Sequence, residues 1–147
     1  MYEPIRTKSV HTVAADSGTD FPHRSREEEL DIQLAGHLAA LLAVTDELRQ
    51  LPAADGELDA ASDELAAQVA RLRGGHTPAR APVAAGIHPH PSGERRPLPH
   101  ATALHQRAHA LAGRALVVAA SRADTAAAIL AARRMEAHAA AGQLVSA

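Results

Sequence analysis

Leu30, Leu34, His37, Leu41, Val44, Leu48 and Leu51 follow one another at intervals of four and three residues in strict alternation. That spacing returns to one face of an α-helix every seven residues. The stretch therefore reads as a helix with an apolar seam, which is stable only when another helix covers it. Leu38 and Leu42 widen the seam to the breadth of a helix packed in a bundle. His37 is the polar interruption, read first as a half-buried histidine with one hydrogen bond and second as a device that fixes register or oligomer state. Ser25-Arg26-Glu27-Glu28 opens the helix. Ser25 is a good N-cap, and Glu28 stands where a capping box needs its reciprocal acceptor. Glu27, Glu28, Glu29 and Asp31 put negative charge at the positive end of the helix dipole. Pro52 stops the helix.

A second helix is expected over 57–73. Leu58, Leu65 and Leu72 recur every seven residues, with Ala61 and Val69 beside them. Asp55 is its expected cap, and Gly74-Gly75 supplies the stop. So short a connection makes the two helices an antiparallel hairpin.

The last segment, 102–141, is almost all helix formers. Leu104, Leu111 and Val118 are seven apart, with Ala108 and Ala115 between them, and the register runs on through Arg122, Thr125, Ile129 and Ala132. Gly142 is the expected end. An unbroken helix of that length is about 60 Å long, against about 40 Å for the first helix. The surplus has two outlets. The segment can break at Ser121–Thr125, where Ser, Asp and Thr all favour caps. It can also stay continuous and pack its overhang on another subunit. A thin seam in a small domain favours the second outlet.

Composition explains why the seams are thin. Of 147 residues 36 are alanine, whereas Leu, Ile, Val and Phe together number 29, close to the border at which chains stop folding. Alanine is the best helix former, and no alternating run of β-branched residues announces a strand. The fold class expected is all-α: a helical hairpin plus a long C-terminal helix, straight or kinked, forming a three- or four-helix bundle, completed by dimerisation if the overhang needs it. Along the chain this gives a disordered tail at 1–24, a hairpin at 25–73, a flexible linker at 74–100 and a C-terminal helix at 101–142. Six of the nine prolines and four of the nine glycines fall in that linker.

Charge divides the chain in two. Residues 1–73 hold 14 acids and 7 bases, net −7, while residues 74–147 hold 3 acids and 8 bases, net +5. An asymmetry of this size points to an acidic hairpin docked on a basic helix. Arg122, on the seam of the last helix, reads first as an arginine running out to solvent along its stem, and second as a buried partner of a hairpin carboxylate such as Asp46 or Glu47.

Several function classes drop out. The chain has no Cys, which excludes disulfides, thiolate metal sites and cysteine nucleophiles. It carries one Tyr and one Phe, Tyr2 and Phe21, and so lacks an aromatic platform for bases. A net charge of −2 argues against nucleic acid as partner. No apolar run is long enough to span a membrane, and the N-terminus has no apolar stretch of a secretory signal. With no P-loop, GxGxxG or GxSxG motif, no enzyme is expected and no cofactor is implied. The expectation is a cytoplasmic, non-enzymatic helical interaction or scaffold protein that self-associates or binds another helical protein. Its interaction residues would be the seam side chains Leu34, Leu41, Leu48, Leu104, Leu111 and Val118.

The alternative is metal binding. His105 and His109 lie four apart on one helix face, half of a possible zinc site. His100 upstream, or His138 across a dimer, would be needed as a third ligand. His88-Pro89-His90-Pro91, with His76 and His100, reads first as a solvated linker and second as a loose metal-binding tract.

Overall fold

A computed structural model describes residues 23–52, 54–80 and 98–146. The tail expected to be disordered, up to residue 22, and the middle of the expected linker, 81–97 with His88 and His90, lie outside the described residues. The described residues form four helices: α1 (Arg26–Arg49), α2 (Gly56–Leu72), α3 (Leu98–Arg122) and α4 (Thr125–Ser146). Among the described residues there is no strand.

The N-terminus of α1 forms as its sequence dictates. The Glu28 N–H donates to Ser25 Oγ at 3.1 Å, and the Ser25 N–H donates to the Glu28 carboxylate at 2.9 Å. The capping box is complete. Asp55 occupies the N-cap position of α2, but its side chain makes no cap bond. At the other end of α2, Gly74 takes φ +66° and the Gly75 N–H reaches back to the Ala70 carbonyl at 2.7 Å, closing a Schellman turn.

The helices pack in a ring, with α1 against α2 and α3, α3 against α4, and α2 meeting α4 more sparingly. Ion pairs give their directions. Arg122 at the end of α3 bonds Asp31 near the start of α1, and His100 at the start of α3 lies 3.1 Å from Glu47 near the end of α1. Arg71 at the end of α2 bonds Asp124 at the start of α4. Every neighbouring pair is therefore antiparallel, and α2 and α3 run parallel across the diagonal. The chain must cross the length of the bundle between them. Its first steps are visible: Pro78 is buried, and Arg80 bonds Asp46, Ser62 and Asp63 on the α1–α2 hairpin. Residues 74–80, assigned to the linker by composition, are thus docked on the hairpin, and α3 begins three residues earlier than the expected boundary of 101.

The core couples large side chains to small ones. Leu34, Leu38, Leu41, Leu42, Val44 and Leu48 of α1 and Leu58, Leu65 and Val69 of α2 are all buried. The α3 and α4 faces add Leu104, Leu111 and Leu130, but mostly Ala108, Ala112, Ala115, Ala119, Ala127 and Ala131. Each of those six alanines is completely shielded from solvent. Their small size brings the helix axes close, so backbone atoms supply dispersion contacts that side chains would otherwise make.

The unbroken C-terminal helix is overturned. Ala123 takes φ +57°, the left-handed region. Its N–H bonds the Ala120 carbonyl, and the Asp124 N–H bonds the Ala119 carbonyl at 2.9 Å. This is the same Schellman geometry that ends α2, built here on alanine in place of glycine. Asp124 then caps α4, accepting from the Ala127 N–H at 3.1 Å. The 60 Å rod becomes two helices of about 38 and 33 Å, matching the roughly 36 Å of α1, and no overhang remains for a second subunit to cover. The break also resets the register. Thr125 and Ile129, expected on the seam, are exposed, and the buried face of α4 is Ala127, Leu130, Ala131, Arg134 and His138. Gly142 does not end the helix, which runs to Ser146 past His105.

Left-handed backbone costs a non-glycine residue about 1–2 kcal/mol, and glycine costs part of that back through unfolded-state entropy. Ala123→Gly is therefore expected to raise unfolding free energy by about 0.5–1 kcal/mol in urea titrations, with the m-value unchanged. A drop in stability would contradict the φ angle assigned to Ala123.

Candidate functional site

At the end of the bundle where α1 and α4 finish and α2 and α3 begin, three imidazoles gather between α3 and α4. His105 Nδ1 and His138 Nδ1 are 3.1 Å apart, so one ring donates and the other accepts, and at least one is neutral. The rings are tilted by 43° with centroids 5.4 Å apart. One turn along α3, His109 Nδ1 lies 2.9 Å from the Met135 carbonyl, which requires Nδ1 to carry the proton and donate. One turn back along α4 from His138, Arg134 is buried and bonds Glu57 at the start of α2.

His138 is only 2% exposed. Burial, together with the positive charge of Arg134 and the neighbouring His105 and His109, pushes its pKa down to about 4. Burial also lowers that of His105. From the other elements the cluster faces Glu57 and Asp55 at the α2 N-terminus, the apolar Leu48 of α1 and Leu51 just after it. Two buried nitrogens make no hydrogen bond among the described residues, His138 Nε2 and Arg134 Nη1.

Two cavities border this imidazole pair. One, of about 350 Å³, is polar at its rim, with Thr102, His105, Gln106, His109 and Gln143. The other, of about 230 Å³, is an apolar cleft between the ends of all four helices, walled by Leu48, Leu51, Leu58, Ala101, Ala141 and Leu144. His105 and His138 line both.

The expected metal residues His105 and His109 do share one face of α3. The third imidazole is His138 of the same chain, so no dimer is needed to bring it near. His100 sits apart, beside Glu47. Among the described residues no three His, Asp or Glu side chains are placed to hold a metal ion. The Nδ1 atoms of His105, His109 and His138 are all engaged in the contacts above. His76, from the histidine tract, is exposed and its Nδ1 donates to the Arg73 carbonyl.

The expected interaction residues lie inside the chain. Leu34, Leu41, Leu48, Leu104 and Leu111 are buried, and Val118 packs against them half-buried. They join the two hairpins of one molecule. His37, the polar interruption of the first seam, is half-buried. The opposite charges of the two halves do meet: Arg122 bonds Asp31 at 2.8 Å and approaches Glu27 at 3.9 Å, Arg133 bonds Glu64 at 2.8 Å, and Arg134 bonds Glu57. Arg122, expected to run out to solvent or else to meet Asp46 or Glu47, bonds Asp31 instead, because antiparallel packing carries the end of α3 to the start of α1.

Asp46 has a different role, which the sequence alone did not reveal. It is 1% exposed and accepts from Ser62 at 2.9 Å, Arg49 at 3.0 Å and Arg80 at 3.1 Å. Burial works to raise its pKa, but the bonds from Arg80, Ser62 and Arg49 outweigh burial and hold it below the ordinary carboxylate value. One sequence signal was present: Ser62 falls on the 4-3-4-3 spacing of Leu58, Leu65, Val69 and Leu72, a hydroxyl on a seam that wants a partner.

No family model matches the chain, and neither the curated proteins nor the solved structures contain a significant match. Among the described residues no helix is long and apolar enough to cross a membrane.

The buried imidazole gives a defined pH dependence. In the unfolded chain His138 binds a proton below its ordinary pKa of 6.5, whereas in the folded chain it stays neutral down to about 4. The unfolded state therefore holds the extra proton between these values, and stability falls as pH drops through that window. The contribution of His138 to the loss is about 3 kcal/mol once pH 4 is reached. Urea titrations between pH 7 and 4 should show this slope, and His138→Phe should flatten it. An unchanged slope in that variant would place the titrating group elsewhere.

Proposed function

We propose that the protein is a non-enzymatic helical interaction module that pairs with a second copy of itself through the outer face of α3 and α4. One observation carries this reading. Val117 on α3 and Ile129 on α4 are 66% and 55% exposed, although they are among the few large apolar side chains in the chain. Ile129 lines a shallow groove with Ala119, Ala120, Ala123, Asp124, Thr125, Ala128 and Ala132, and Val117 lies one turn before Ala120 on α3. Alanine floors admit another helix at short distance, as they do inside the bundle.

Charge favours a second copy as the occupant. Arg114 lies one turn before Val117, and Glu136 lies one turn beyond Ala132. Both are exposed, and neither makes an ion pair among the described residues. A two-fold contact presents the same patch on both partners, so Arg114 of each copy meets a surface that carries Glu136 of the other. The seam residues expected to carry self-association are occupied within the chain. The outer α3–α4 face takes over that role. A cytoplasmic setting accompanies this reading, supported by the lack of cysteine.

Light-scattering mass across a concentration series tests the proposal. The wild type should pass from monomer to dimer. Ile129→Glu, an exposed change that leaves the core intact, should weaken dimerisation at least tenfold while the circular dichroism spectrum stays the same. A wild type that remains monomeric at the highest soluble concentration, or an Ile129→Glu variant that dimerises equally well, overturns it.

A further inference from the structure

The cleft at the other end of the molecule points to a second activity, independent of self-association. All four helix ends and the α1–α2 connection contribute to it: Leu48 from the end of α1, Leu51, Ala54 and Asp55 from the connection, Leu58 from α2, Ala101 and His105 from α3, and His138 and Ala141 from α4. Bundles build ligand sites in this way, from side chains of facing helices. The leucines of α1 and α2 stop short of filling the space because their partners on α3 and α4 are alanines. Its volume of about 230 Å³ exceeds the 150 Å³ or so of a dry cavity that takes up benzene. One wall is the ring of His138, which is 98% buried and has a nitrogen without a partner.

Charge narrows the ligand class. Glu57 and Arg134 neutralise each other in an ion pair, and the Asp55 carboxylate on the lining disfavours an anion. A cation would have to leave water for a lining that is mostly aliphatic, at high cost. A neutral molecule remains. Its body must be apolar, to cover Leu48, Leu51, Leu58 and Leu144. Leu144, at 79% exposure, is the most exposed large apolar side chain among the described residues and lines the cleft. Its head must suit the one ring nitrogen of His138 left without a partner, Nε2, which donates or accepts according to the tautomer that the His105 contact selects. A hydroxyl both donates and accepts, and so fits either tautomer.

We propose that this cleft binds a small neutral molecule with an apolar body of one ring or a short chain and a single hydroxyl head, the head lying against the His105–His138 pair. The test is a titration of the full-length protein with 4-ethylphenol and, separately, with ethylbenzene, which has the same body without the head. Imidazole C–H signals in proton NMR are the readout. The expected result is saturable one-to-one binding of 4-ethylphenol that shifts the His105 and His138 signals, with ethylbenzene at least tenfold weaker. Ala141→Phe, which fills the cleft from α4, should weaken 4-ethylphenol at least tenfold in protein with wild-type helicity. The proposal fails if 4-ethylphenol does not saturate the folded wild type, if both compounds bind equally while the imidazole signals stay still, or if a folded Ala141→Phe binds as well as wild type. Should that variant not fold, the wild-type titration decides alone.

Discussion

Helix separation in this protein is set by alanine. The seams of α3 and α4 present Ala108, Ala112, Ala115, Ala119, Ala127 and Ala131 to the leucines of α1 and to each other. A leucine meeting leucine on every face would push the axes apart and leave this chain, poor in large apolar residues, with too little to fill the gap. A leucine meeting alanine closes the same space with fewer atoms. Most of the transfer free energy then comes from α1 and α2, whose buried Leu and Val side chains contribute about 1.5–3 kcal/mol each. The partner helices contribute closeness more than area. Where the complementary sizes run out, at the bundle end near Leu51 and Ala101, the packing stays open.

Close helices also bring charges within reach, and the division of charge between the two halves becomes geometry. Arg122 at one end and Arg134 near the other link α3 to α1 and α4 to α2. The exposed members of this set add little, about 0–1 kcal/mol each. Asp46 differs because it is enclosed. A carboxylate surrounded by Ser62, Arg49 and Arg80 need not stabilise the fold relative to an apolar side chain of the same size. Leaving it without partners would be costly, so only arrangements that satisfy it are tolerated. It ties α1, α2 and the chain leaving α2 into one register.

Local signals were legible, and distant ones were not. Ser25 with Glu28, Gly74-Gly75 and the seven-residue repeats of α1 and α2 act over one or two turns, and each is found where its chemistry requires. The break after α3 was half legible. Asp124 is a proper cap, but the left-handed residue before it is Ala123, and alanine there gives no sign of a stop. That single residue moved Ile129 from seam to surface and brought Arg134 and His138 inside. The partnership of His105 with His138 spans 33 residues and exists only because α4 folds back. His105 and His109 were recognisable as neighbours by spacing alone, but their surroundings depended on that turn. Arg80 was hidden in a different way, since a stretch rich in proline and glycine reads as unattached whatever one arginine within it does.

The crossing of the chain between parallel α2 and α3 separates the molecule into two hairpins, each closed by its own short turn. No other stretch of backbone joins them. Cutting the chain after Arg80 would leave every helix, cap and turn intact, and would give two fragments of opposite net charge whose apolar faces match. Such fragments have what spontaneous reconstitution requires: attraction at long range and complementary shape at short range. The fold is in this sense a complex of two peptides that happen to be encoded as one.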